Sequence, residues 1–356
     1  MYVKFSQRNY KIMKNKDYFQ LFANCLIVKG ASRSTICDLQ TKEVFILPNE
    51  IADIIEKLNN RKSISSIKKE FLPDEGKIID EALLHLESKN FGFFCELEEF
   101  DLFPDLDTTY KTANQLNDII VELDFFDFEK LQKIKELARI TSCKSLHFVC
   151  YFSLSKTELK KLLQLLKLKT LSTIEIIMKY HNNQDKPLFE EAHLSNPRFK
   201  KVVLHGSPFS KDNYFQIPFF SSKHLEAIFT DFSFCGNVSQ KYFTLNQDKF
   251  LESLNFNSCL NQKLAIDRIG NIKNCPALDV AFGNIKNTQV EFITNELLNS
   301  KDYTKLTSIK KENIKDCKVC EFRHVCTDCR AFLSDPNNPL SKPLKCTYDP
   351  YTGEWS

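Results

Sequence analysis

The sequence predicts an α/β protein in three parts: an N-terminal winged helix, a partial barrel of parallel β/α units and a cysteine-rich C-terminal domain. Three observations carry this. Short apolar runs between Leu21 and Leu47 precede three helical patterns. Strand and helix periods then alternate from Ile119 to Phe229. Finally, Cys317 to Cys329 reads CKVCEFRHVCTDC, four cysteines in thirteen residues. A chain of 356 residues can bury more than one core, so covalent staples are not needed for stability.

The first domain is expected over residues 1–100. Leu21 to Val28 and Thr35 to Leu39 read as strands, and after the polar turn Gln40-Thr41-Lys42 the run Val44-Phe45-Ile46-Leu47 completes a small antiparallel sheet. Asn49 is the expected N-cap of a helix carrying Ile51, Ile54, Ile55 and Leu58, and Ser63 that of a second with Ile64 and Ile67. Pro73-Asp74 opens a third with the stripe Ile78, Ala82, Leu83 and Leu86, before Phe91-Gly92-Phe93-Phe94 returns as a strand. The exposed side of that third helix carries Asp74, Glu75, Asp80, Glu81 and Glu87 against Lys77 and Lys89, the wrong sign for phosphate contacts. The free sheet edge suits an added peptide strand instead, along Val44, Phe45, Ile46 and Leu47 with Ile79 and Leu83 as groove wall. The other reading is an ordinary winged-helix packing domain.

The opening stretch from Met1 to Phe19 spreads Lys and Arg among aromatics without the apolar run of a signal peptide or membrane span, so a soluble, cytoplasmic protein is expected. In a reducing compartment, spaced cysteines hold metal or do chemistry more often than they form disulfides. The net charge of +3 is small for this length, and no nucleic-acid partner is expected.

After a linker from Glu96 to Asn117, the second domain is expected over residues 117–255. Strands at Ile119–Leu123, Leu146–Cys150, Ile174–Met178, Val202–Leu204 and Ala227–Phe229, with helices at Phe128–Ala138 and Thr157–Leu168, recur at roughly 27 residues, the length of a strand plus a crossover helix. That is too short for a complete barrel of about 250 residues, leaving a partial barrel or an open parallel sheet. His147 and His205 read as satisfied core histidines, and the isolated Cys143, Cys150 and Cys235 as small buried side chains.

The third domain, residues 256–356, carries the sharpest signal. Arg268-Ile269-Gly270-Asn271 turns a hairpin that brings Cys275 back toward the strand after Cys259; Cys317, Cys320, Cys326, Cys329 and Cys346 follow. Two residues between cysteines let both sulfurs face one ion about 2.3 Å away, in zinc sites or iron–sulfur clusters alike. Spacing alone does not choose between them.

This pattern, with CEFRHVCTDCRAF and the ending CTYDPYTGEW, resembles the SPASM domain of radical S-adenosylmethionine peptide maturases, and in detail the SPASM maturases of grasp-with-spasm systems. These modify ribosomally made peptides alongside an ATP-grasp ligase. The first domain is similar to the RiPP recognition element that holds a precursor's leader. The resemblance implies one auxiliary 4Fe-4S cluster on Cys317, Cys320, Cys326 and Cys346, and another on Cys259, Cys275 and Cys329, with only three clear thiols and a short Cys326–Cys329 spacing. It also implies a barrel of radical S-adenosylmethionine type. Yet the place after the first barrel strand reads Asp124-Phe125-Phe126-Asp127-Phe128-Glu129, and CxxxCxxC occurs nowhere in the chain.

The expectation is therefore an accessory maturase that binds a precursor peptide through its leader and acts with an ATP-grasp ligase, with no catalytic residue assigned. The alternatives are a redox or cluster-dependent peptide-modifying enzyme and a zinc-stabilised interaction protein.

Overall fold

The computed structural model describes residues 16–356, so the reading of residues 1–15 lies outside the described residues. The chain begins with β1 (Tyr18–Leu21), β2 (Cys25–Lys29), β3 (Ser34–Asp38) and β4 (Glu43–Leu47), followed by α1 (Asn49–Asn59), α2 (Ile64–Lys68), α3 (Pro73–Ser88) and β5 (Gly92–Cys95). The run expected as one strand from Leu21 to Val28 is two, because the Cys25 N–H bonds back to the Phe22 carbonyl and turns the chain. As a result β1 pairs antiparallel with β5, while β2, β3 and β4 form a separate antiparallel meander. β4 is an edge strand of that sheet.

Ser63 caps α2 as expected, its hydroxyl accepting from the Ser66 N–H at 3.2 Å. Asn49 does not cap α1; it is the first helical residue. Its side chain instead accepts from Ser34 Oγ at 2.6 Å and donates to the Gly30 carbonyl at 3.2 Å, tying the helix to the β2–β3 turn. On α3 the buried face holds Ile79, Leu83, Leu84 and Leu86, whereas Ile78 is 58% exposed. Of the expected stripe Leu83 and Leu86 lie in the core, while Ile79, about 100° round from Ile78, takes the inward place instead of it.

The second region builds β6 (Asp118–Leu123), α4 (Phe128–Ile140), β7 (Ser145–Cys150), α5 (Lys156–Leu165), β8 (Thr173–Lys179), α6 (Lys186–Ser195), β9 (Phe199–His205), β10 (Lys211–Asp212) and β11 (Ser221–Leu225). After α7 (Gln247–Asn255) come β12 (Lys263–Ile266) and β13 (Ile272–Lys273). They join one mostly parallel eight-stranded sheet, ordered β10-β11-β9-β8-β7-β6-β12-β13. β12 pairs parallel with β6, so the sheet runs past residue 255, where the second domain was expected to end. The strand expected at Ala227–Phe229 is β11, which ends at Leu225. Three apolar residues are too few to define a strand period, and here Phe229 turns off the sheet to stack on Phe234 at 4.1 Å.

Side chains alternate across this sheet with period two. Val121, Phe148, Ile176, Val202 and Ile266 face the helices and are fully buried. The opposite positions carry Asp118, Glu122, His147, Glu175, Lys201, Lys223, Lys263 and Asp267. These charged residues alternate along the same side with Ile120, Val149, Ile177, Val203 and Ala265, and the chain continues through α8 (Val290–Asn295), α9 (Lys301–Thr304), β14 (Tyr348–Asp349) and β15 (Glu354–Trp355). Among the described residues, no helix is long and apolar enough to cross a membrane.

The first and last regions share a core of Val28, Cys37, Leu39, Phe250, Phe322, Val325 and Tyr348. Glu321, whose side chain is fully buried, ties them: Arg33 donates to its carboxylate at 2.7 Å, Tyr348 donates to the same oxygen, and Thr35 Oγ1 donates to the Glu321 carbonyl at 2.9 Å.

Candidate metal centre

The chain's thirteen cysteines are all free thiols. Cys317, Cys320, Cys326 and Cys346 line one pocket together with Phe322, Arg323 and Tyr348. Local turns bring them there. The Cys320 N–H bonds the Cys317 carbonyl at 3.0 Å, the Cys326 N–H bonds Phe322 at 2.9 Å, and the Cys346 N–H bonds Pro343 at 3.1 Å. Burial pushes the Cys320 thiol up to about 12, with Glu321 and Cys326 adding to the rise. Burial likewise raises Cys346, and Cys326 adds to it. Lys311 is the adjacent cation. Although desolvation pulls its pKa down, Cys326, Asp328 and Cys317 outweigh that and raise it, and its ammonium donates to the Cys326 carbonyl.

Cys259, Cys275 and Cys329 line a second, larger cavity, and there a fourth thiol joins them: Cys235. The expectation that Cys235 is an isolated buried side chain is therefore corrected. Burial raises its pKa, and Cys259 and Cys329 raise it further. Burial also pushes Cys275 up to about 12, with Cys259 and Cys235 contributing. Gly236 makes the approach possible: its φ is +80°, and a Cβ there would stand 3.1 Å from Cys329 Sγ and 2.9 Å from the Phe332 ring. The backbone between the sheet and the C-terminal region is thus pressed against a thiol, a close approach only glycine permits. Lys263 on β12 is the cation here; desolvation lowers its pKa, but Cys259, Asp118 and Cys275 more than reverse that. Cys143 and Cys150 are fully buried, as expected.

Thiols are soft donors, of the kind that zinc and iron–sulfur clusters take. Among the described residues, no three or more His, Cys, Asp or Glu form a ready site for a metal ion.

At the end of β6 the side chains are of another kind. Asp127 caps α4 by accepting from the Lys130 N–H at 3.0 Å, and the buried Lys130 donates to the Glu122 and Asp267 carbonyls at 2.8 and 2.7 Å. Tyr151 donates to Glu122, and the Arg268 guanidinium lies 3.7 Å over the Tyr151 ring. This place holds carboxylates, a lysine and aromatics rather than thiols.

His147 is satisfied, but it is not the core histidine expected: its side chain is 31% exposed on the face of the sheet opposite the buried one, and its partners are charged. Its Nε2 lies 3.0 Å from Asp118 and its Nδ1 3.5 Å from Glu175. Desolvation lowers its pKa, yet the two carboxylates win and raise it to about 9. The stabilisation from the imidazolium is complete below the ordinary histidine pKa of about 6.5 and is lost as pH rises through about 9. Denaturant titrations at pH 7 and pH 10 should differ by about 1–2 kcal/mol after allowance for solvent screening, and His147→Gln should remove most of that difference. His205 is buried as expected, accepting from the Phe229 N–H at 3.2 Å.

The expected peptide-binding residues separate. Val44 and Ile46 line a pocket of about 600 Å³ opposite Phe243, Leu245 and Phe322. Phe45 lies against His85 and Phe91, at 5.6 and 5.3 Å between ring centroids. Leu47, Ile79 and Leu83 are buried in the first core. Ile79 and Leu83 are thus core rather than groove wall, and the α3 face shared with His85 is that of Ile78 and Ala82. In sequence comparisons the chain matches no family model and no curated protein.

Proposed function

We propose that this chain is a SPASM-type peptide-maturation protein. Its winged-helix module takes a precursor's leader as an added strand on β4, its sheet is a partial barrel, and its C-terminal region holds two auxiliary 4Fe-4S clusters. The observation that carries this reading is the gathering of eight cysteines, spread from Cys235 to Cys346, into two groups of four. Both zinc and iron–sulfur clusters take thiolate ligands, and the resemblance favours clusters.

Cys317, Cys320, Cys326 and Cys346 would hold one cluster, with Lys311 as its counter-charge. Cys235, Cys259, Cys275 and Cys329 would hold the other, beside Lys263. Bound clusters would supply electron-transfer capacity. The chain's own groups position the thiols, screen them from water and compensate their charge. A leader strand on β4 would meet Ile78, Ala82 and His85 of α3 on one side and Phe243 and Phe322 on the other, while the acidic outer face of α3 disfavours phosphate. Partnership with an ATP-grasp ligase is the role this reading takes from the resemblance, and residues 124–129 after β6 carry no cysteine.

Anaerobic reconstitution tests the reading. About eight irons and eight acid-labile sulfides per chain, with a broad visible absorbance, are expected for two clusters; zinc without sulfide overturns it. The same reduced protein should release no 5'-deoxyadenosine from S-adenosylmethionine, because carboxylates and phenylalanines cannot replace three thiolates. Multiple turnovers of that product would make the chain a radical enzyme instead.

A further inference from the structure

The pocket that holds Cys317, Cys320, Cys326 and Cys346 is also lined by Trp355, the single tryptophan of the chain. Its place is set locally: β14 begins two residues after Cys346, and β15 returns antiparallel so that Trp355 stands opposite Tyr348. The indole packs against the Tyr348 ring at 4.9 Å and the Phe243 ring at 6.2 Å between centroids. Its Nε1 is shut off from solvent and has no hydrogen-bond partner. A buried indole N–H normally finds an acceptor, because an unpaired one has given up its hydration for nothing.

The other polar groups on this wall are committed elsewhere. Lys311 donates to the Cys326 carbonyl, the Tyr348 hydroxyl to the Glu321 carboxylate, and Arg323 Nη1 to the Cys320 carbonyl at 3.0 Å. Arg323 Nε, likewise without a hydrogen bond, lies 3.9 Å from the Glu312 carboxylate. Asp316 lines the same pocket and accepts nothing from the indole. The four sulfurs are the remaining candidates. A neutral thiol is a weak acceptor, whereas a metal-bound thiolate or a sulfide carries negative charge and attracts an N–H strongly.

We propose that the Trp355 indole N–H donates to a sulfur of the first cluster and raises that cluster's reduction potential. The proposal rests on the two-cluster reading and adds a regulating residue to its first site. Adding one electron to a cluster increases the negative charge on its sulfurs, so a fixed donor stabilises the reduced form more than the oxidised one. Trp355 is a positioning residue in this account: the thiols hold the iron, and the indole biases the electron.

The test is an anaerobic redox titration of the full reconstituted chain, with the first cluster's signal assigned by its absence from Cys317→Ser. Trp355→Phe removes the N–H and should make the reduction equilibrium of that cluster about tenfold less favourable, a fall of about 59 mV for one electron, with iron content and the other cluster's potential unchanged. Replacing Trp355 by benzothienylalanine, which keeps the ring's shape and has sulfur in place of N–H, should give the same shift. Because the chain has one tryptophan, indole-¹⁵N labelling reports on this residue alone, and pulsed electron-paramagnetic spectra of the reduced cluster should show a ¹⁵N coupling. Full iron with an unmoved potential in both variants overturns this proposal while leaving the clusters in place. A shift in Trp355→Phe that the benzothienyl variant lacks also overturns it, since packing rather than the N–H would then set the potential. Zinc without sulfide overturns both this proposal and the reading beneath it.

Discussion

Replacing Cys317 by serine should remove one whole cluster, about four irons and four sulfides per chain, and loosen the molecule at both ends. The thiol lies in a knuckle closed by the Cys320 N–H, and the next residues, Glu321 and Phe322, are those on which the N-terminal region docks. Arg33 and Thr35 both donate to Glu321. Metal-binding free energy is folding free energy in small thiolate modules, so destabilisation of at least about 5 kcal/mol is expected. Hydrogen exchange should show loss of protection in β2 and β3 as well as around the knuckle. A variant that keeps its full iron content and its protection in β3 would refute the assignment of this group. Glu321→Ala separates the two effects: it should weaken docking while leaving the iron in place.

Cys235→Ala should be the most selective variant. It should lower iron by the equivalent of the second cluster, or leave that cluster with one open iron visible as a changed electron-paramagnetic signal, without touching the first. Cys143→Ala, equally a change of one cysteine, should keep all the iron and cost only about 1–2 kcal/mol through lost packing at a fully buried site. If Cys235→Ala retains both clusters with unaltered spectra, Cys235 is not a ligand. Gly236→Ala provides a steric counterpart: its Cβ would press on Cys329 Sγ and require a positive φ, so it should impair the second cluster with every thiol still present.

What could be read directly from the chain were features whose cause is local. The cysteine knuckle is two-residue spacing, and the strand–helix alternation from β6 to β9 is hydrophobic period. The Ser63 cap is one hydroxyl within reach of an N–H three residues on. Each depends on neighbours within a few bonds, and the structure contains the mixed α/β fold and mostly parallel sheet that they predict. Features that depend on which segments meet were not legible. Cys235 lies 24 residues before Cys259 with no spacing motif, and the glycine after it was its single visible signal. Only the return of the chain after β11 beneath the C-terminal region brings it to the other thiols. On α3 the sequence could not rank Ile78 against Ile79, because the two are equally apolar and only packing in the first core decides which turns inward. The charges on the sheet face opposite the helices had the same fate. Alternation marks which residues share a side, but the sequence cannot say that this side closes over a cavity walled by thiols, aromatics and lysines, because that wall comes from strands and loops more than a hundred residues apart.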